Sequence, residues 1–262
     1  MSGFSGPNGS IVTEGLVYYI DNPNKKSYVS GSSIINNLVG TDTSDLPNGI
    51  DLTTENLGGW TFDGVDDYIE ASQIDSQQLT LDVWFKINDP MFSGFFAYVF
   101  RMGQTVVPFS LLFYPALFNS AMGGVWRCRP SVFFRNPTYT NSKTISYGLS
   151  IDSDFLYNMI VTYDWATTTT TCYLNDSLIG DGSGNRTGPV SSTLTNFSTC
   201  TTYQFDDTSQ SYTSMAIQRG GGNNNGFFPM DIYNFKMYNR VLNEEERNRN
   251  YNALKGRFGL WA

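Results

Sequence analysis

The sequence contains no histidine. That removes Ser-His-Asp and Cys-His triads, HExxH zinc sites and imidazole proton shuttles together. Cysteine is almost as scarce: Cys128, Cys172 and Cys200 are an odd number without CxxC spacing, which excludes a cysteine zinc cluster and speaks against a disulfide framework. Charged residues reach only 15%, with 16 basic against 24 acidic side chains and a net charge of −8. Such a balance does not neutralise phosphates, so nucleic acid is not an expected partner. Long apolar runs are missing too. The patches at 95–100 and 109–118 end at Gly, Pro or polar residues well short of the ~20 residues that span a bilayer, so no membrane insertion is expected. The opening Met-Ser-Gly-Phe-Ser-Gly lacks a basic n-region and an apolar h-region, and the expectation is a chain made in the cytoplasm without the usual export signal.

What is present points to β structure. Over 262 residues, 40% hydrophobic content is enough for a substantial core, and aromatics alone make up 15%. Leu81, Val83, Phe85 and Ile87 alternate with Thr80, Asp82, Trp84 and Lys86, the period of two of a strand that buries one side. Tyr157, Met159, Val161 and Tyr163 repeat the pattern. Residues 168–180 read as a hairpin around Asn175-Asp176, which tolerate the positive φ of a primed turn. Further strands are expected at 16–20, 60–62, 68–71, 106–113, 131–134, 144–149, 213–217 and 232–238. Many short strands without alternating helices favour an all-β, two-sheet antiparallel jelly-roll sandwich. A single short C-terminal helix is specified by Asn243 as cap, Glu244, Glu245 and Glu246 in the first turn, and Gly256 at its end. It is expected to pack against the sandwich edge. With no linker in view, residues 1–13 read as an arm or assembly tail and 14–262 as one domain. The loops at 181–192 and 219–226 stand out. The second is glycine-rich but lacks the Lys-Ser/Thr of a phosphate loop.

Four segments in order resemble the laminin-G-like branch of the concanavalin A-like lectin/glucanase superfamily. They are Gly15-Leu-Val-Tyr-Tyr-Ile-Asp21, Phe62-Asp-Gly-Val-Asp-Asp-Tyr-Ile69, Val161-Thr-Tyr-Asp164 with the following Cys172-Tyr-Leu-Asn-Asp-Ser-Leu-Ile179 hairpin, and residues 232–242 ending Met237-Tyr-Asn-Arg-Val-Leu242. The second, an FDGxDDYI match, is the most specific. The closing Asn250-Tyr-Asn-Ala-Leu-Lys-Gly-Arg-Phe-Gly259 is similar to endings of bacteriophage versions of the domain. Two departures are evident: Leu156 stands where the family often has tryptophan, and residues 91–150 match nothing in it.

The resemblance implies glucanases, lectins or packing modules. Glucanases of this branch need two carboxylates, usually glutamates at i and i+4 on one strand. Glu14, Glu55, Glu70 and the 244–246 trio supply no such pair, so the chain is expected not to be an enzyme. The family's structural calcium implies oxygen ligands from Asp21, the Gly64 carbonyl and the last strand, where Tyr233 replaces the usual acid and Asp231 lies two residues earlier. The alternative is that Asp63, Asp66 and Asp67 only cap turns. Sugar stacking and hydroxyl bonding would fall to Trp84, which points away from the apolar face of its strand, to Trp126, and to Asn223, Asn224 and Asn225. The aromatic stretch with Phe92, Phe95, Phe96, Phe113 and Phe118, together with Trp261 near the end, reads as an oligomer or assembly interface, the alternative for the stretch being a thickened core in an elaborated sandwich. The expectation is therefore a non-catalytic virion surface protein, as capsid decoration or tail/fibre component, assembled in the host cytoplasm. Its partners would be other virion proteins, further copies of itself and host glycans. A free carbohydrate-binding module is the alternative, and a glycoside hydrolase a more distant one.

Overall fold

The computed structural model describes residues 5–6, 9–46, 50–54, 58–72, 76, 78–88, 97–102, 109–118, 125–135, 142–146, 155–164, 169–175, 177–178, 192–193, 212–215 and 229–258. The chain opens with a two-stranded ribbon, β1 (Ser5–Gly6) and β2 (Gly9–Ser10), followed by β3 (Leu16–Asp21), β4 (Ile34–Asn36), β5 (Thr43–Asp45), β6 (Asp51–Thr53), β7 (Gly59–Phe62), β8 (Ile69–Ser72) and β9 (Gln78–Ile87). Next come β10 (Ala97–Met102), β11 (Phe109–Phe118), β12 (Val125–Arg135) and β13 (Ser142–Ser146). The rest comprises β14 (Leu156–Asp164), β15 (Thr169–Leu174), β16 (Ser177–Leu178), β17 (Ser192–Thr193), β18 (Tyr212–Met215), β19 (Met230–Tyr238) and α1 (Glu244–Lys255).

Two antiparallel sheets form. One runs β16-β15-β14-β9-β19-β7-β6, with β3 paired to β19 and β17 to β15; the other runs β13-β12-β11-β10-β18-β8-β5-β4. The all-β sandwich is as expected. Its core sits between the sheets, where Leu81, Val83, Phe85 and Ile87 of β9 meet Met159 and Val161 of β14, Ile69 and Ala71 of β8, and Phe100 of β10. Phe100 stacks on Phe235 at 5.5 Å. The hairpin at 168–180 is also present, and Asn175 turns it with φ +48°. The stretch at 91–150, which resembled nothing, supplies β10 to β13, half of the second sheet.

Three expectations need correction. The first sheet is buried on both faces: Thr80, Asp82 and Trp84 of β9 are as enclosed as the core residues they alternate with. The reason is α1, which lies across the outer face of that sheet instead of at an edge. Its Leu254 and the following Phe258 pack on Trp84 and Tyr233. The helix start is as read, a capping box in which Asn243 accepts from the Glu246 N–H and Glu246 accepts from the Asn243 N–H, both at 3.0 Å. A bidentate contact from Arg240 to Glu246, at 2.6 and 2.8 Å, ties it to the end of β19. Finally, residues 11–13 do not belong to a free arm. Ile11 and Val12 are buried with Leu16, Tyr19, Tyr238, Leu242 and Ala253.

Candidate functional site

The most unusual chemistry lies between α1 and the sheet. A register shift between Ile232 and Asn234 of β19 lets Ile232 and Phe235 both enter the core. Strict alternation would instead set 232 and 234 on one side. The shift puts Tyr233, Lys236 and Tyr238 under the helix, beside Asp82 of β9, Asn158 of β14 and Tyr19 of β3.

Asp82 is the hub. Lys236 Nζ reaches its Oδ2 at 3.0 Å, with side-chain exposures of 0% and 1%. Asn250 Nδ2 of α1 donates to the same oxygen at 3.1 Å, and Asn158 Nδ2 donates to Oδ1 at 2.8 Å. Asn250 also donates to the Tyr238 hydroxyl at 2.8 Å, and its Oδ1 accepts from the Val12 N–H at 2.8 Å. Tyr238 in turn donates to the Val12 carbonyl at 3.1 Å. Strand, helix and N-terminal segment thus meet in one enclosed polar network. Burial pulls the Lys236 ammonium below the usual lysine range, and the Asp82 carboxylate opposes that shift. Burial, reinforced by Asp82, pushes the Tyr238 phenol well above its usual range.

The residues read as calcium ligands are otherwise engaged. Asp21 Oδ1 accepts from Arg257 Nη1 at 2.6 Å, and Asp21 Oδ2 accepts from the Tyr19 hydroxyl at 3.4 Å. Asp231 accepts from the Asn88 amide at 2.9 Å and the Tyr233 hydroxyl at 3.2 Å. Gly64 holds φ +77°, where a Cβ would stand 2.8 Å from Pro229. A guanidinium already neutralises Asp21 and both Asp231 oxygens are occupied, so this donor set does not fit calcium as it stands. Asp63, Asp66 and Asp67 do bring carboxylate oxygens within 4.8 Å of one another. Two of them cap the turn as the alternative had it: Asp63 accepts from the Val65 N–H at 2.7 Å, and Asp67 from the Asp63 N–H at 3.0 Å. Burial, followed by the neighbouring acids, lifts Asp67 to about 6.

Of the sugar-binding candidates, Trp84 is misassigned. It is fully buried, 4.5 Å from the Phe258 ring and 5.6 Å from that of Tyr251, both stacked. It faces away from the core as read, but α1 covers that face. Trp126 lies on β12 opposite Leu117, where only the backbone is described. Asn223, Asn224 and Asn225 lie outside the described residues. So do Phe92, Phe95, Phe96 and Trp261 of the expected interface. Phe113 and Phe118 sit on β11 opposite Pro130 and Val125 of β12, again as backbone positions. The Asp82–Lys236–Asn250 cluster went unrecognised in the sequence, although two opposite charges in the middle of two largely apolar strands were a visible signal.

No family model matches the chain, and no curated protein matches it. Among solved structures, a Trypanosoma rangeli sialidase in complex with 2,3-difluorosialic acid aligns over 96% of this chain and 36% of its own, with 14% identity and a TM-score of 0.56. The receptor-binding domain of botulinum neurotoxin type G aligns over 91% of this chain and 51% of its own, with 12% identity and a TM-score of 0.57. The binding domain of botulinum neurotoxin serotype D aligns over 90% and 51%, with 11% identity and a TM-score of 0.58. The chain thus spans about a third to a half of these proteins. At such identities the likeness is one of fold alone, over the part that aligns with this all-β sandwich.

Proposed function

We propose that this chain is a non-catalytic, lectin-like sandwich that sits on the surface of a bacteriophage particle, as capsid decoration or tail component, and takes a host glycan as ligand. The observation that carries the non-catalytic reading is the fate of the enclosed carboxylates. Asp82, Asp21 and Asp231 are each tied to an internal donor at 2.6 to 3.0 Å. Among the described residues Glu70 is the only glutamate on a strand. A glycosidase of the two-carboxylate kind, as the glucanases are, needs two carboxyl groups opposed across an open groove, and these acids are engaged elsewhere. The fold likeness to a toxin's receptor-binding domain supports a recognition role. The phage setting rests on the resemblance of the closing stretch at 250–259 to bacteriophage versions of the domain.

The test has two arms. Intact particles purified from infected cells are expected to contain the chain at fixed stoichiometry. The isolated protein, applied to a glycan array that includes sialylated and bacterial surface sugars, is expected to bind a narrow group. Release of reducing ends from laminarin or a bacterial polysaccharide would overturn the non-catalytic reading. Absence from particles would overturn the virion placement, and an empty array the glycan ligand.

A further inference from the structure

Asp82, Lys236 and Asn250 form a constellation that the proposed recognition role does not use. An ion pair at 0% and 1% exposure is a weak source of stability, because desolvating both charges costs about as much as their attraction returns. An apolar pair would fill the space as well. The arrangement nevertheless has the parts of an acyl-transfer centre, with a nucleophile, a proton carrier, an electrophile and an oxyanion donor.

Lys236 Nζ and Asn250 Nδ2 both sit on Asp82 Oδ2, at 3.0 and 3.1 Å, so one carboxylate oxygen touches the attacking nitrogen and the nitrogen that would leave. The orientation of the Asn250 amide is set by its partners. The Val12 N–H can only donate, so the atom 2.8 Å from it is the carbonyl oxygen. That N–H polarises the carbonyl and faces the oxygen on which negative charge would develop. Burial favours the uncharged amine of Lys236, and Asn250 is itself fully buried, which keeps competing water away.

We propose that Lys236 and Asn250 become joined by an intramolecular amide bond, formed by the folded chain itself with Asp82 as proton carrier. The Lys236 ammonium passes a proton to Asp82. The free amine attacks Cγ of Asn250, and the Val12 N–H holds the resulting oxyanion. Asp82 moves the second amine proton to the departing nitrogen, and the Cγ–Nδ2 bond breaks. The Nζ–Cγ bond is formed, one ammonium ion leaves, Asp82 returns to carboxylate, and no oxidant or reductant is needed. The product ties β19 covalently to α1 and fixes the helix over the sheet.

The experiment is mass spectrometry of the full chain, purified after folding and then denatured. The expected mass is lower than that of the sequence by one ammonia. Lys236 is expected to resist trypsin, and peptide 220–240 to appear joined to 250–255 as one branched species. Asp82→Asn, which keeps the shape but removes the proton carrier, is expected to give the full sequence mass and linear peptides. Ammonia is also lost when Asn-Gly pairs such as Asn8-Gly9 and Asn225-Gly226 cyclise, so the branched peptide decides. Wild-type protein with a cleavable Lys236 and no branched peptide overturns the proposal, whatever the variant does. So does a link to Asn158, a loss of water that joins Lys236 to Asp82, or a cross-link that persists in Asp82→Asn.

Discussion

Trp84→Ala separates a structural tryptophan from a sugar platform. The indole is enclosed on all sides and packed on Phe258 and Tyr251. Truncating a buried tryptophan to alanine costs about 3–5 kcal/mol through lost transfer energy and the cavity left behind. One term works the other way: Trp84 Nε1 is buried without a hydrogen-bond partner. Removing an unsatisfied donor returns about 1–3 kcal/mol. The balance is a loss of about 2 kcal/mol. For a chain of this size each kcal/mol moves Tm by about 2–4 °C, so a drop of about 4–8 °C is expected in a thermal melt followed by circular dichroism. Trp84→Phe keeps most of the stack and sheds the orphaned N–H, and should lose less than half as much. A double-mutant cycle between Trp84→Ala and Phe258→Ala should show coupling of about 0.5–1.5 kcal/mol. An exposed sugar platform would behave differently. Trp84→Ala would then leave Tm within about 2 °C, as surface changes do, while abolishing glycan binding, and that outcome would refute the placement of Trp84 beneath α1.

Asp82→Ala leaves the Lys236 ammonium buried without its counter-charge and should cost about 3–5 kcal/mol in urea unfolding, whereas Asp82→Leu combined with Lys236→Met should recover part of that loss; equal stability of the two variants would count against a buried pair. Asp67 has a folded pKa of about 6, raised from 3.8, so its ionisation opposes folding above pH 6 and this cost disappears as pH falls through 6 toward 4. Asp67→Asn should therefore be more stable than wild type at pH 7, with the difference in Tm shrinking between pH 6 and 4; a constant difference across that range would show that Asp67 does not titrate there. Because Arg257 holds Asp21 and both Asp231 oxygens already accept from Asn88 and Tyr233, a chelator should leave Tm unchanged and millimolar calcium should raise it by less than about 1 °C. A rise of several degrees would mean that the ion displaces the guanidinium.

The core strands were legible because their apolar residues recur at every second position with few interruptions. β9, β14 and the β15–β16 hairpin fall where the alternation and Asn175 placed them, and the Asn243–Glu246 box fixed the start of α1. Three strands of the edge regions were not legible. Ile34–Asn36, Thr43–Asp45 and Asp51–Thr53 have three residues each, too few to show a period, and are built largely from Asn, Asp, Ser and Thr. β11 was anticipated at 106–113 and lies at Phe109–Phe118, because continuous apolar runs carry no marker of register. The register shift at Tyr233 was equally silent, and the face assignment of β19 depends on it.

Alternation identifies two faces of a strand but says nothing about what covers the second one. For β9 the second face carries Thr80, Asp82, Trp84 and Lys86, a composition that suits solvent. The element that covers it, α1, is distant in sequence and has mostly polar residues itself, with Asn250, Ala253 and Leu254 as its buried positions. A polar helix can settle on a sheet face only if the polar groups on both sides find one another. Asp82, Asn250 and Tyr238 meet that condition through pairings that no local pattern encodes. With the first sheet covered by α1, the one-sided pattern is left to the second sheet. There the pairing brings Asp45, Glu70, Ser214, Arg101 and Ser110 into one row across five adjacent strands. The neighbouring row holds Ile69 and Phe100, both buried in the core. Asp45 is exposed and Glu70 half-buried, so on these two strands the side opposite the core is the polar one, as alternation alone would have it.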